Sequence, residues 1–176
     1  LMLPDGNTPT VTATDSYYQS YSYDKMLDGN LNTWCWFEKD QVAGKEFVFT
    51  FPQAVNMSQI RVVQPSNVGA DILEGADVQV STDKETWTTV GHLDSSSSDT
   101  TIEFDSTVVK YVRVLLTATK KNWYQISEVQ FTYEQIPEDT TVRDIIAEAE
   151  AIDVTGKDVP AVTTMTDSLT AVPKLY

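Results

Sequence analysis

Within ten residues, Asp28 to Phe37 (D-G-N-L-N-T-W-C-W-F), the chain collects a carboxylate, two amides, a hydroxyl and two tryptophans. Asp28, Asn30 and Thr33 offer hard oxygens at close spacing, the donor type with which Ca²⁺ completes a shell of about 6–8 ligands. Asp-Gly followed by asparagines favours tight turns with positive φ, which lets one loop fold back on one ion. The spacing is not that of an EF-hand. Counted from Asp28, the sixth position is Thr33 instead of glycine and the twelfth is Lys39 instead of glutamate. A metal held here must take further ligands from elsewhere in the chain. On this loop alone, a polar turn without an ion is an equal reading.

The elements that would position this loop read as β. Strands are expected near Thr10–Ala13, Glu46–Phe51, Gln59–Gln64, Asp77–Ser81, Thr86–Val90, Thr100–Phe104, Lys110–Ala118 and Ile126–Tyr133. Phe47, Phe49 and Phe51 alternate with polar or smaller residues and share one face, and Ile102-Glu103-Phe104 and Val129-Gln130-Phe131 repeat the pattern. Period two with aromatic and β-branched enrichment marks half-buried strands. About eight such strands, without a helical period among them, predict an all-β fold, a jelly-roll β-sandwich. The serine run between Asp94 and Asp99 is a connector, and Thr82 to Trp87 is a hairpin turn ending on a tryptophan.

The pattern changes at Ile136-Pro137. Val142, Ile145, Ala149 and Ile152 recur at helical steps, Gly156 and Pro160 interrupt, and Val162, Met165, Leu169 and Val172 form a second stripe. A short C-terminal helical hairpin follows, too small to fold well alone, serving as a connector or as part of a helical module. The expected division is a lead-in over 1–9, a sandwich over 10–135 and a helical segment over 136–176.

Of 176 residues, 41% are hydrophobic, enough for a packed core, and no apolar run approaches the ~20 residues that span a bilayer. The first residues have no basic region and no apolar core of signal-peptide length. Net charge is −14, with 12 basic against 26 acidic residues. That field repels phosphate backbones and anionic lipid heads, so nucleic acid and acidic membranes are poor candidates and neither is expected as a partner, and it favours cations. The single cysteine, Cys35, can form no internal disulfide and reads as a small buried hydrophobe. His92 has no neighbouring nucleophile and reads as a surface or turn residue. Glycosidases need two carboxylates across a cleft, and Glu38 and Asp40 lie too close along one loop to serve, so the chain is not expected to be an enzyme.

Several short elements occur in order: Lys25-Met26-Leu27-Asp28-Gly29-Asn30, Asn32-Thr33, Val80-Ser81-Thr82-Asp83 with Trp87, Lys110-Tyr111-Val112-Arg113-Val114, and Ile126-Ser127-Glu128-Val129. Over about residues 10–134 the chain resembles the discoidin, or factor five/eight type C, superfamily. Within it the chain is most similar to family 32 carbohydrate-binding modules of secreted bacterial glycoside hydrolases. The resemblance implies a jelly roll with a structural Ca²⁺ beside the ligand-binding loops. Its ligands would be the Lys25 carbonyl, the Asp28 carboxylate, Asn30, the hydroxyl and carbonyl of Thr33, the Ser127 carbonyl and the Glu128 carboxylate. That set supplies the distant carboxylate the first loop lacks.

Sugars have apolar C–H faces and polar rims, so a site needs an exposed aromatic platform and a few directed hydrogen-bonding groups. Trp36 and Trp123 adjoin the implied calcium segments and are the expected platforms, whereas Trp34 and Trp87 are expected in the core. Glu38, Asn67, Asp71 and Asn122 are the candidate hydrogen-bonding groups. Galactose-binding members of the family use a first-loop His and a middle-loop Arg. Here those loops read Trp36-Phe37-Glu38 and Gln64-Pro65-Ser66-Asn67. The spacing of Thr33, Trp36 and Trp123 is more similar to modules attached to N-acetylglucosaminidases and hyaluronidase-like enzymes. The resemblance thus implies a monomeric, non-catalytic, secreted or cell-surface bacterial module. It would bind terminal N-acetylglucosamine-type sugars on host or polymeric glycans and target a tethered glycoside hydrolase to them. A protein-docking module, with the helical segment as its working surface, and a phospholipid-binding discoidin domain are the alternatives. The latter would need apolar spikes fringed by Lys and Arg.

Overall fold

A computed structural model describes residues 6–66 and 71–137. The helical hairpin expected over 136–176 lies, from residue 138 onward, outside the described residues, as does Asn67. Eight strands are formed among the described residues: β1 (Thr10–Ala13), β2 (Cys35–Phe37), β3 (Glu46–Val63), β4 (Gly75–Ser81), β5 (Thr88–Asp94), β6 (Asp99–Leu116), β7 (Tyr124–Ile126) and β8 (Glu128–Gln135). A single 3-10 turn, Tyr23–Met26, is the only helical element among the described residues. The larger sheet is antiparallel with order β1-β3-β6-β4-β5, and β8 pairs with the far half of β3. β2 and β7 form a separate two-stranded ribbon. The expected all-β sandwich is therefore formed from two sheets.

Two pairs of expected strands are each one long strand. Glu46–Phe51 and all of Gln59–Gln64 except Gln64 itself belong to the 18-residue β3, although Pro52 stands between them. Proline cannot donate to a ladder and is tolerated at irregularities. The pairing register of β3 with β6 shifts between Thr50 and Val55, so Pro52 falls in the irregular stretch. β6 likewise joins Thr100–Phe104 to the expected Lys110–Ala118, which ends two residues early at Leu116, through Asp105–Val108, all exposed, where no apolar alternation marks a strand. Ile126–Tyr133 is the opposite case, two strands read as one. At Ser127 the chain leaves β2, and the Ser127 N–H donates to Val63 O at 2.8 Å as β8 begins on β3.

The core lies between the larger sheet and the ribbon. Phe47, Phe49 and Phe51 are fully buried, as their shared face requires. Phe131 meets Phe49 and Phe51 at ring-centroid distances of 5.3 and 5.2 Å, and Phe37 stacks on Tyr124 at 4.4 Å. Burying each such ring contributes on the order of 2–3 kcal/mol. Cys35 is buried in this layer, and burial pushes its thiol up, which leaves no thiolate for nucleophilic chemistry.

Candidate functional site

The ribbon has two faces because strand side chains alternate. Cys35 and Phe37 on β2, with Tyr124 and Ile126 on β7, face the core and are buried. The residues of opposite parity, Trp34, Trp36 and Glu38 on one side and Trp123 and Gln125 on the other, line the outer face, with Trp36 registered against Gln125. The loop before the 3-10 turn lies along this face. Trp36 N–H donates to Tyr21 O at 3.1 Å, and Tyr18 N–H donates to Trp36 O at 2.8 Å. Those bonds draw Tyr18 and Tyr21 into one aromatic patch. Trp36 meets Trp123 edge-on at 5.5 Å, Tyr18 at 5.3 Å and Tyr21 at 5.6 Å, and Tyr21 stacks on Trp34 at 5.6 Å. Edge-to-face and offset-stacked rings at such distances each add about 0.5–1.5 kcal/mol beyond burial. All four tryptophan rings of the chain are half-buried. The Nε1 atoms of Trp34 and Trp36 are buried without an acceptor among the described residues, so these rings have only their faces and edges to offer a ligand.

A polar group adjoins Trp123. Asp71 Oδ1 accepts from Asn122 Nδ2 at 2.6 Å, and Asp71 Oδ2 accepts from Gln125 Nε2 at 3.0 Å. The Gln125 N–H also donates to Asp71 O at 3.0 Å. Asp71, Asn122, Trp123 and Trp36 are thus brought together through Gln125, a residue not singled out in the sequence. Glu38 shares the outer face but accepts from Ser16 Oγ at 2.5 Å, which commits one of its oxygens. The fully buried Gln41 supports the far side of the group. Its Nε2 donates to Ile72 O at 2.9 Å and its Oε1 accepts from Glu74 N–H at 2.9 Å.

The first loop closes onto the start of β8. Gly29, at φ +74°, donates its N–H to Glu128 Oε2 at 3.1 Å, bridging 99 positions of sequence. A Cβ would be strained at that φ, which is the reason for glycine there. Glu128 is only 4% exposed. Burial pushes its carboxyl up to about 7, and the neighbouring Asp28 charge adds to the rise, while the Gly29 and Asn30 N–H groups oppose it. Asp28 Oδ1 accepts from Asn30 N–H at 2.9 Å. Thr33 Oγ1 lies 2.9 and 2.8 Å from the two Asp28 oxygens and 2.9 Å from Asn30 O. One hydroxyl proton cannot serve three acceptors, so the loop holds more oxygen lone pairs than it has protons to satisfy. Ser127 Oγ is buried and without a partner among the described residues. Lys25 Nζ stands 3.7 Å from Asp28 Oδ2. Asp28, Asn30, Thr33 and Glu128 are therefore assembled, with Lys25 and Ser127 adjoining. The described residues contain no cluster of three or more Asp, Glu, His or Cys side chains, so this assembly has two carboxylates and otherwise neutral oxygens.

The F5/8 type C domain model matches residues 10–129, which includes both the first loop and the Glu128 segment that closes it. The chain belongs to the F5/8 type C domain family. Among solved structures, this F5/8 type C domain is similar to a fragment of Clostridium perfringens ZmpB carrying the modules CBM32-1 and CBM32-2 in complex with GalNAc. The identity is 23% and the TM-score 0.61, over 76% of this chain and 36% of that one. It is similar to the family 32 module of C. perfringens NanJ in complex with galactose, at 17% identity and TM-score 0.59 over 73% of this chain and 99% of that one. It is also similar to CBM32-1 of a C. perfringens family 31 glycoside hydrolase, at 17% identity and TM-score 0.62 over 76% and 97%. The chain thus spans about a third of the two-module ZmpB fragment. Among curated proteins none matches the chain.

Two expectations need correction. Trp34 is not a core residue, because its parity places it with Trp36 on the outer face. Trp87 is not in the core either. It is half-buried just before β5, beneath the Arg113 guanidinium at 4.1 Å, and its Nε1 donates to Lys84 O at 3.2 Å. His92 is on β5, mostly exposed, with Nδ1 2.6 Å from Asp77 Oδ1.

Proposed function

We propose that this domain is a non-catalytic carbohydrate-binding module whose sugar platform is formed by Trp36 and Trp123, with Asp71, Asn122 and Glu38 at its rim. The observation that carries the reading is the outer face of the β2–β7 ribbon. Two indoles meet there at 5.5 Å beside a network of carboxylate and amide groups. Half-buried rings joined to directed polar groups suit a pyranose, which has apolar faces and a hydroxyl rim.

The favoured ligand is a terminal sugar of the N-acetylglucosamine type. Two of the similar structures described above are complexes, one with GalNAc and one with galactose. Here the first loop carries Trp36 and Glu38 and the middle loop begins with Gln64. Gln64 is buried, donating to Ser97 O at 3.3 Å and accepting from Leu73 N–H at 2.8 Å, so it is spent on the fold instead of a hydroxyl. That loss of a polar contact supports a ligand gripped more by stacking. A shallow site for one ring implies Kd on the order of 0.1–1 mM, about −4 to −5.5 kcal/mol. Weak binding of that order is useful through tethering, where an attached glycoside hydrolase gains effective concentration at its substrate. A secreted or cell-surface location fits such a role.

Asp28, Asn30, Thr33 and Glu128, with carbonyls of Lys25 and Ser127, would hold a structural Ca²⁺. The excess of oxygen lone pairs around Thr33, with the exposed Asp28 carboxylate and the buried Glu128 carboxylate closing on one loop, fits a hard cation. The ion would supply charge neutralisation only. The chain's own bond from Gly29 to Glu128 already ties the first loop to β8, and that tie fixes the segment leading into Trp34 and Trp36.

A glycan array run in calcium and in EDTA tests the reading. Binding to glycans ending in N-acetylglucosamine, reduced in EDTA and lost in Trp123→Ala, is the expected result. No binding to any glycan removes the proposal.

A further inference from the structure

A cavity of about 210 Å³ lies beside the platform, bordered by Ser20, Tyr21, Lys25, Asn32, Thr33 and Trp34. It is lined by none of the residues assigned above to the first sugar. One wall is aromatic. Tyr21 stacks on Trp34 with an interplanar angle of 16° and a centroid distance of 5.6 Å, and the same ring meets Trp36 edge-on at 5.6 Å. The aromatic surface therefore runs without a break from Trp123 through Trp36 and Tyr21 to Trp34. The rest of the lining is polar, with Ser20, Thr33, exposed Asn32 and Lys25. Lys25 is flanked by Asp24 at 3.5 Å and Asp28 at 3.7 Å, so its charge is already countered and the cavity favours a neutral ring over an anionic one.

We propose that this cavity is a second sugar subsite, so that the module reads a neutral disaccharide or longer chain end instead of a single terminal ring. The inference rests on the function proposed above, in which Trp36 and Trp123 hold the first ring. An indole grouped with hydroxyl and amide side chains is the same chemistry repeated one ring further along. The cavity is large enough for one pyranose and too small for two. Because Thr33 lines it and also contacts both Asp28 oxygens, the second ring sits against the loop that closes onto Glu128.

Isothermal titration of the full chain in calcium, with N-acetylglucosamine and with its β-1,4-linked dimer, tests the subsite. The dimer is expected to bind about tenfold more tightly than the monomer, one further stacking contact being worth about 1.4 kcal/mol. Trp34→Ala and Asn32→Ala are each expected to bring the dimer-to-monomer affinity ratio down to about twofold or less. Equal affinities in the unmodified chain overturn the second subsite and leave the single-ring reading standing. Absence of binding by both sugars overturns both readings. Variants that keep the tenfold ratio overturn its location, and Asn32→Ala, at an exposed position, decides this if Trp34→Ala does not fold.

Discussion

Replacing Glu128 with Gln is expected to change stability in opposite directions with and without calcium. In the metal-free domain Glu128 is a buried carboxylate whose pKa is pushed up to about 7, chiefly by burial and further by Asp28. A raised folded-state value means the stability linked to this group is fully present below the unfolded value, near 4.5, and is lost as pH rises through about 7. Each unit of that rise corresponds to about 1.4 kcal/mol, so at pH 8 the ionised side chain costs the metal-free fold on the order of 3–3.5 kcal/mol. Gln keeps an acceptor for the Gly29 N–H and removes the charge. In EDTA at pH 8 the E128Q melting temperature should therefore exceed that of the unmodified domain by roughly 9–14 °C, taking about 3–4 °C per kcal/mol for a domain of this size. In calcium the order should reverse. An ion at a thousand times its Kd stabilises the unmodified domain by about 4.1 kcal/mol, more than the cost of the ionised side chain, and E128Q, having lost one of two carboxylates, should gain little. Thermal unfolding of both proteins at pH 8, in EDTA and in calcium, gives the four values. Lower stability of E128Q in EDTA, or an equal calcium response in both proteins, would refute the reasoning.

Trp123→Ala should weaken glycan binding at least tenfold while leaving the calcium-dependent rise in melting temperature intact, measured by titration calorimetry and thermal unfolding. Gly91→Ala should destabilise by about 1–3 kcal/mol in urea unfolding, because a Cβ there would meet three side-chain atoms of buried Ile102 at 2.7–2.8 Å. Asp83 accepts from the N–H groups of Glu85 and Thr86 at 2.8 Å, and these bonds lower its carboxyl to about 2. Its contribution is present above the ordinary aspartate value and lost as pH falls towards 2. The stability gap between the unmodified domain and Asp83→Ala should close over that interval, and the Asp83 carboxyl should titrate near 2 by NMR.

Strand positions were legible wherever one face is apolar and the other polar. β1 falls on its expected residues, and Phe47, Phe49 and Phe51 face the core as their alternation requires. β2 was not legible. In Trp34-Cys35-Trp36-Phe37 both faces carry apolar residues, so no period stands out, and the outer face is recognised only once Cys35 and Phe37 are seen to be buried. Tyr18 and Tyr21 join the patch through backbone bonds to Trp36, a pairing that leaves no mark on local composition. The approach of Gly29 to Glu128 across 99 positions is also non-local, and only the family resemblance pointed to it. Pro52 suggested a break in β3 because its missing donor matters in a regular ladder, yet an irregular register absorbs it.

The most direct test of the account is an NMR titration with N-acetylglucosamine that follows the indole N–H signals of all four tryptophans, in calcium and in EDTA. Trp36 and Trp123 should shift together and saturate in calcium, Trp87 should stay fixed, and the response should weaken in EDTA. Saturable shifts confined to Trp87, or no shift at any indole in calcium, would contradict a sugar platform on the β2–β7 ribbon.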